Sequence, residues 1–590
     1  RNVEDVFSTS LQHRGPDDSG VYYETSQELV LGHLRLSIID LSSYAHQPMA
    51  DRNGDFVLVF NGEVYNYLDL RKELEGLGHE FSSNSDTEVV LRSYIAWGKS
   101  CVERFRGMFA FCIYDKNTKE LFLARDRFGI KPLIYNFSKS NGFVFGSELK
   151  SILKSNLWTK KICKTALTDF FYYGSVQQPR TILDGFYCLM PGHAMTVRMD
   201  LSFEIYKYYD FVKESLSITG PRCYDDAVSL VRKELESATQ YHMAGDVEVG
   251  AFLSGGVDST AVVALMQQYS NHPINTFSVG FSKKENVEDE TDIATRSAKY
   301  IGTKHHNIRI DGTYVVSIFD DFIDSIDQPT IDGINTYIVS RETSKELKVA
   351  LSGLGGDEIF AGYPHFKDIS HYSGMRRGPA AYISYWLHHL RANRYTRSFA
   401  MHGLSEELSL QIQRKILPPK NILKAPKTSR CIELNTTLSP IQRISKSEID
   451  GYMLNTLLRD NDVLSMTHSL EVRPILLDHK IAELAFCLDD KFKIRKGKLK
   501  SVFIDSVADL IPLEVSQRRK TGFDMPFTSW MNGALNSFVV QATHFPEAEI
   551  LFNSSFLKSL RCRAESRSLK KLDWVSFVLL SWLKHYEVEL

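Results

Sequence analysis

Short apolar or alternating runs dominate the first 205 residues or so. FVLVFNGEVYNY (56–67), GMFAFCIYD (107–115), ELFLARD (120–126) and GFVFGSE (142–148) are separated by Gly, Asn and Asp, which predicts strands joined by tight turns. Among them YLDLRKELEGLG (67–78) repeats leucine at helical spacing and ends on Gly76 and Gly78, so it predicts a helix. LMPGHAMTV (189–197) reads as the last strand of this unit. From about 200 to 222 the chain is polar and turn-rich and closes on Gly220-Pro221, which predicts a domain boundary there.

Beyond the boundary strands and helices alternate. Residues 225–241 carry helical periodicity, VEVGAFL (247–253) reads as a buried strand, and STAVVALMQQY (259–269) as a helix. NTFSVGF (275–281) reads as a strand, DIATRSAKYIG (292–302) as a helix, and HHNIRI (305–310) and KVALSG (348–353) as strands. That order implies a parallel sheet with helices on both faces. After about 365 the pattern is mostly helical, broken by the proline- and lysine-rich LPPKNILKAPKTSR (417–430). The expected architecture is α/β: a layered sandwich over 1–205, then a doubly wound parallel-sheet domain over 223–590 with a helical C-terminal part.

Composition adds exclusions. With 590 residues, 43% hydrophobic and 24% charged, the chain can hold several cores. A formal net charge of −2 gives no general attraction to nucleic acid or anionic lipid. No apolar run approaches the ~18 residues a membrane span needs. The 8 cysteines are scattered without a CxxC pair, as expected of reduced core thiols in a cytosolic protein. The chain opens on Arg1, so its natural start is expected upstream.

FLSGGVDST (252–260) carries the first chemistry. It lies where a strand ends and a helix begins, the ligand side of a parallel sheet. Free N–H groups and the helix dipole there attract an anion, Gly255 and Gly256 allow close approach, and Ser254 and Ser259 add hydroxyls. No lysine follows the glycines, so this is not the common nucleoside-triphosphate loop. Asp258 suits a phosphate only with a divalent cation between them. KVALSGLGGDEIFAGY (348–363) repeats the design, and Asp357 could share that cation with Asp258.

These residues resemble known proteins. SGGVDS looks like the pyrophosphate loop of the ATP pyrophosphatases, which cut ATP between its α- and β-phosphates. HRGPDDSG (13–20), LGHLRLSIIDLSSYAHQPM (31–49), FNGEVYNY (60–67), SDTEVVL (85–91), RFRGMFAFCIYD (104–115), ARDRFGIKPLIY (124–135) and FGSELKSIL (145–153) follow in the order of the glutaminase domain of glutamine-hydrolysing asparagine synthetases. SGLGGDEIFAGY (352–363), SMTHSLEVRPILLDH (465–479) and RRKTGFDMPFTSW (518–530) extend the resemblance over nearly the whole chain.

The resemblance implies two sites. The first is an N-terminal-nucleophile glutaminase with an αββα sandwich, whose N-terminal cysteine attacks the glutamine amide. Matching glutamine-holding positions are Arg35, Asn61, Gly62, Glu63 and Asp86. Arg35 suits the substrate carboxylate, Glu63 and Asp86 its ammonium, and Asn61 with the Gly62 N–H an oxyanion. The second is the synthetase site, which adenylates the aspartate carboxylate with ATP and Mg²⁺ and amidates it with ammonia from the first site. Ser254, Gly255, Gly256, Asp258 and Ser259 would hold pyrophosphate and Mg²⁺. Val279, Ser352 and Gly353 would lie near the nucleoside, Asp357 would share the metal, and Lys520 would stabilise charge on phosphates and adenylate. The partners implied are small molecules, neither nucleic acid nor membrane, in the cytoplasm; a homodimer is left open.

Three departures stand out. No catalytic cysteine can be assigned in a chain that begins at Arg1. Leu354 occupies a position that is mostly acidic in members making asparagine, and leucine cannot accept the proton an attacking ammonia must lose. In EVRPILLDH the proline falls one position early. The alternatives are a related amidotransferase acting on another carboxylate, a β-lactam-synthetase-like enzyme with an inert glutaminase half, or a non-catalytic protein retaining the fold. His305-His306 reads as structural, since no further spaced ligands accompany it. MRRGPAAYISYWLHHLRANRYTR (375–397) reads as an amphipathic helix, and LDWVSFVLLSWLKHY (572–586) as core packing or an oligomer face.

Overall fold

The computed structural model describes residues 9–155, 157–281, 291–373, 410, 414, 422–424, 437–518 and 525–590. Lys520, the arginine–aromatic stretch 375–397 and most of the 417–430 loop lie outside the described residues.

The first half is built on a six-stranded sheet in the order β11-β10-β6-β5-β4-β3. Its strands are β3 (Met49–Ala50), β4 (Phe56–Val64), β5 (Gly107–Asp115), β6 (Glu120–Arg125), β10 (His193–Arg198) and β11 (Phe203–Lys207), all antiparallel. Smaller sheets pair β1 (Asp18–Glu24) with β2 (Leu29–Arg35), and β7 (Ile134–Ser138) with β8 (Gly142–Gly146) and β9 (Phe186–Cys188).

Alternate residues of β4 and β5 serve two cores. Leu58, Phe60, Phe109, Phe111 and Ile113 pack beneath the helices Tyr67–Gly76 and Asp86–Trp97. Val57, Val59, Ala110 and Cys112 face the opposite layer with Leu31, Leu133 and Leu189. Burial on both faces explains why these strands read as nearly continuous apolar runs.

The expected last strand is not the last. The strand at 193–198 is followed by β11, within the stretch that reads as polar and turn-rich. Leu201 takes a left-handed φ of 66° in the turn between them. β11 is an edge strand with mostly exposed residues, and its only apolar alternation, Phe203 and Ile205, is too short to stand out from the polar stretch around it.

The second half carries a parallel five-stranded sheet in the order β14-β13-β12-β15-β16. The strands are β12 (Val249–Phe252), β13 (Asn275–Phe281), β14 (Lys304–Ile310), β15 (Val349–Ser352) and β16 (Glu471–Pro474). Strand order reverses between β12 and β15, and at such a switch point the loops leaving adjacent strands diverge and open a crevice. The early proline, Pro474, closes the edge strand β16 opposite Ser352, a place where a missing ladder donor is tolerated.

The helix Asp573–Tyr586 is buried, so its apolar surface is core packing within this chain. Phe577 stacks on Phe319 at 4.8 Å between ring centroids, and the wholly buried Trp582 donates its indole N–H to the Ile326 carbonyl at 3.1 Å. The same cluster contains Phe170, Phe171 and Ile182 of the first half, joining the two halves through one apolar core. His305 bridges Thr276 and Ser278, and His306 meets Asn275 and stacks on Phe277, as their structural reading requires. Among the described residues no helix is long and apolar enough to cross a membrane.

Replacing Trp582 by alanine removes a buried aromatic and its hydrogen bond. The expected loss is about 3–5 kcal/mol, read as a lower urea midpoint with unchanged slope.

Candidate active site

The two glycine-bearing loops lie side by side because β12 and β15 are adjacent parallel strands, pairing Val249 with Val349 and Ala251 with Leu351. Small residues let them touch. A Cβ on Gly353 would stand 2.8 Å from the Ser259 nitrogen, and one on Gly356 would stand 2.7 Å from Asp258 Oδ1. Gly255 holds a φ of 77°, a conformation that favours glycine.

A cavity of about 920 Å³ opens over this junction. Ser254, Gly255, Gly256, Asp258, Ser259, Val279, Ser352 and Asp357 all line it. Gly353 does not; it lies underneath, where its missing side chain admits Asp258 and Ser259. In the first loop Ser259 Oγ lies 3.0 Å from Ser254 Oγ and accepts the Ser254 N–H at 3.1 Å.

Asp258 and Asp357 converge on a single positive group. Lys500 Nζ stands 2.6 Å from Asp258 Oδ2 and 2.7 Å from Asp357 Oδ1, and Lys500 itself is buried. It adopts a left-handed φ of 52°, and a Cβ on Gly362 would collide with both Asp357 and Lys500. Lys367, Lys498 and Arg518 add positive charge to the cavity walls, while Asp368 opposes it.

Lys500 was not legible in the sequence as a site residue. KGKLK (496–500) reads as a solvated basic run, and only the folded chain brings it to carboxylates more than a hundred residues away. Leu354 also lines the cavity, with its N–H directed at Ser352 Oγ at 3.2 Å. A side chain without a titratable group therefore stands where the resemblance led one to expect an acid.

The residues expected to hold glutamine also come together. Arg35, Asn61, Gly62, Glu63 and Asp86 line a second cavity of about 120 Å³ in the first half. Gly62, at φ 139°, lies so close to the Met108 carbonyl that a Cβ could not be placed there. Arg35 is not a vacant fork: it donates to the Ser42, Ile39 and Asp40 carbonyls at 3.2, 3.1 and 2.5 Å. Among the described residues, Nε and one Nη1 proton have no acceptor and are open to a ligand. Asp86 Oδ2 accepts the Val64 N–H at 3.0 Å, and burial outweighs that bond, pushing its carboxyl up to about 7. Asn61 makes a long 3.5 Å contact with Ser147 Oγ.

Residues of the second half complete this cavity. Met466 and Glu471 belong to its lining. Behind them runs a buried charge chain between the halves. Arg14 reaches Glu148 at 2.8 Å and Asp462 at 2.7 Å, and Lys131 reaches Asp462 at 3.2 Å and Glu471 at 3.6 Å. Burial opposes charge on Glu148, yet Lys150, His13 and Arg14 hold its carboxyl well below the usual range. Sequence patterning hides the contacts of Arg14 with Glu148 and Asp462 and of Lys131 with Asp462 and Glu471, because those partners lie far apart along the chain.

Comparison with known proteins bears on both sites. Residues 2–209 match the family described as glutamine amidotransferase domain, and residues 230–584 match asparagine synthase. Asparagine synthetase [glutamine-hydrolyzing] 1 of Bacillus subtilis (strain 168) is 29% identical over 597 residues, covering 97% of this chain and 92% of that protein. Asparagine synthetase [glutamine-hydrolyzing] 3 of the same organism is 30% identical over 540 residues, covering 89% and 84%. Amidase chry2 of Gibberella zeae is 27% identical over 593 residues, covering 91% of this chain and 87% of that protein.

Two outcomes follow. The resemblance would set a glutamine ammonium against Asp86, and acidification through about pH 7 adds a proton that removes the charge of that carboxylate. Glutamine affinity, measured by calorimetry, is therefore expected to fall about tenfold between pH 8 and pH 6. Lys500→Met leaves Asp258 and Asp357 facing each other without their shared cation. Urea unfolding of the ligand-free protein is expected to show a loss of roughly 3 kcal/mol.

Proposed function

The chain belongs to the asparagine synthase family, and from that premise we propose that it is an ATP-dependent, glutamine-using amide ligase that makes asparagine from aspartate. The observation that carries this reading is the meeting of Asp258 and Asp357 at one cationic point, where two glycine-bearing loops leave adjacent parallel strands.

In this reading a carboxylate oxygen of aspartate attacks the α-phosphorus of ATP. The bond from that phosphorus to the bridging oxygen breaks, and pyrophosphate leaves. The backbone N–H groups of 254–259 and the hydroxyls of Ser254 and Ser259 receive its charge, with Lys500 beside them. Lys520 is proposed to add positive charge near the adenylate. Val279 and Ser352 bound the nucleoside, and Gly353 keeps the loops in contact. Mg²⁺ fits here, since Asp258 and Asp357 offer two hard carboxylate donors already directed at one positive centre, and when bound it screens the phosphate charge. Ammonia then attacks the acyl carbon, AMP leaves, and the nitrogen sheds a proton.

The ammonia derives from glutamine held in the smaller cavity. Glu63 and Asp86 face its ammonium, the remaining Arg35 donors its carboxylate, and Asn61 with the Gly62 N–H its amide oxygen. The setting is cytoplasmic, and the 1–205 and 223–590 portions are the two functional units.

One observation favours a second reading: Leu354 lines the synthetase cavity and cannot take the proton that ammonia loses. In that reading the acceptor is a different carboxylic acid. Incubation with ATP, Mg²⁺ and glutamine or ammonia, with aspartate or a panel of other acids, separates the two. AMP and pyrophosphate with aspartate are expected. Release with another acid alone transfers the proposal to that acid, and release with none removes it. Asp258→Asn is expected to lower the rate by at least about a hundredfold, read as ATP–pyrophosphate exchange.

A further inference from the structure

Arg473 lies on β16, in the second half, and is wholly buried. Nη2 stands 3.1 Å from Glu63 Oε1 in the first half. Its other contacts fix it rigidly: Nε donates to Glu471 Oε1 at 2.8 Å, and Nη1 donates to the His242 and Ala244 carbonyls at 2.7 Å each. The approach to Glu63 is an ion-pair contact rather than an aligned hydrogen bond: Nη2 itself has no hydrogen-bond partner among the described residues. The second oxygen of Glu63, Oε2, is buried and has no hydrogen-bond partner among the described residues. Glu63 lines the smaller cavity, and a buried carboxylate oxygen left unsatisfied there marks the place of a missing donor.

Three carboxylates, Glu63, Asp86 and Glu471, line this space together with two guanidinium groups, Arg14, which is paired to Glu148 and Asp462, and Arg35. Carboxylates so crowded and buried tend to take up protons. Burial, with Asp86 and Glu471 nearby, pushes the Glu63 carboxyl well above its ordinary range; Arg473 is the strongest influence in the other direction, followed by Lys131. Lys131 is already committed to Asp462 and Glu471. Arg35 and His33 line the cavity as well, but Arg35 is engaged by backbone carbonyls and burial holds the His33 imidazole neutral, its pKa near 4.

We propose that Arg473 is a positioning residue for glutamine: reaching across from the synthetase half, it orients Glu63 and supplies the counter-charge that lets Glu63 receive the substrate ammonium. The inference rests on reading the smaller cavity as the glutamine site. Its chemistry is specific, because one guanidinium nitrogen faces Glu63 while the rest of the group is anchored in its own half. A neutral Glu63 would present either a hydroxyl or a weak carbonyl acceptor, and an ammonium gains much less from these than from a carboxylate.

The test is calorimetric titration of the full-length protein with L-glutamine from pH 6 to pH 9. The wild type is expected to bind. Arg473→Met is expected to bind at least tenfold more weakly at pH 7, with the pH midpoint of affinity displaced upward, while Arg473→Lys restores most of the midpoint. A folded Arg473→Met protein with wild-type affinity and midpoint overturns the inference. So does a loss that is equal at every pH, which is what a purely structural role would give. If Arg473→Met does not fold, Arg473→Gln carries the test: an upward displacement of the pH midpoint supports the proposal, and an unchanged midpoint with wild-type affinity overturns it. A wild-type protein that takes up no glutamine removes the reading of the cavity and this inference together, whereas wild-type binding with unaffected variants removes the inference alone.

Discussion

Two aspartates on neighbouring loops, one buried and one half-buried, do not both stay ionised at close range without a cation between them. The arrangement of Asp258, Lys500 and Asp357 answers this constraint, and much of the second half follows from it. The loops must leave adjacent parallel strands, so β12 and β15 lie at the centre of the sheet. They must touch, so glycines stand at 353 and 356, where any side chain would strike the facing loop. Lysine 500 must reach them from a distant segment, and Gly362 leaves it room. Because a buried ion pair loses hydration on both sides, its geometry has to be exact in every contact to be tolerated. A ligand that brings its own charges can rearrange these groups at modest cost, since the lysine is a point charge on a flexible stem.

The contact between the halves obeys the same rule on a larger scale. Arg14, Lys131 and Arg473 each meet carboxylates across the boundary, and all three are buried. Removing any single member leaves an opposite charge stranded in low dielectric, so the set is maintained as a whole. Around it the apolar cluster that combines Phe170 and Phe171 with Trp574 and Trp582 supplies non-directional cohesion. Charge fixes register, and apolar area supplies attraction.

Much of this was readable in the chain. The helix at 67–76, the alternating strands and helices beyond 225, and both glycine loops follow from periodicity and turn chemistry, because local preference and tertiary packing agree there. β11 was not readable, since its short alternation, Phe203-Glu204-Ile205, is largely exposed and sits inside a polar, turn-rich stretch. Nor was Lys500, whose basic run resembles any solvated surface until the fold brings it to the aspartates. Glu63 and Asp86 could be picked out by resemblance, but Arg473, the partner of Glu63, lies some four hundred positions away, and no local pattern encodes so remote a contact. Loops that bind through backbone and glycine announce themselves; charges that act by meeting across a boundary do not.

The presence of Met466 and Glu471 in the wall of the smaller cavity bears on inheritance. Neither half owns that chamber outright. A gene fragment encoding only the amino-terminal portion would yield a vessel open on one side, and a chimera joining portions from distant lineages would match two surfaces that never adapted to each other. A substitution at Met466 or Glu471 therefore reshapes a chamber whose other walls belong to the first half.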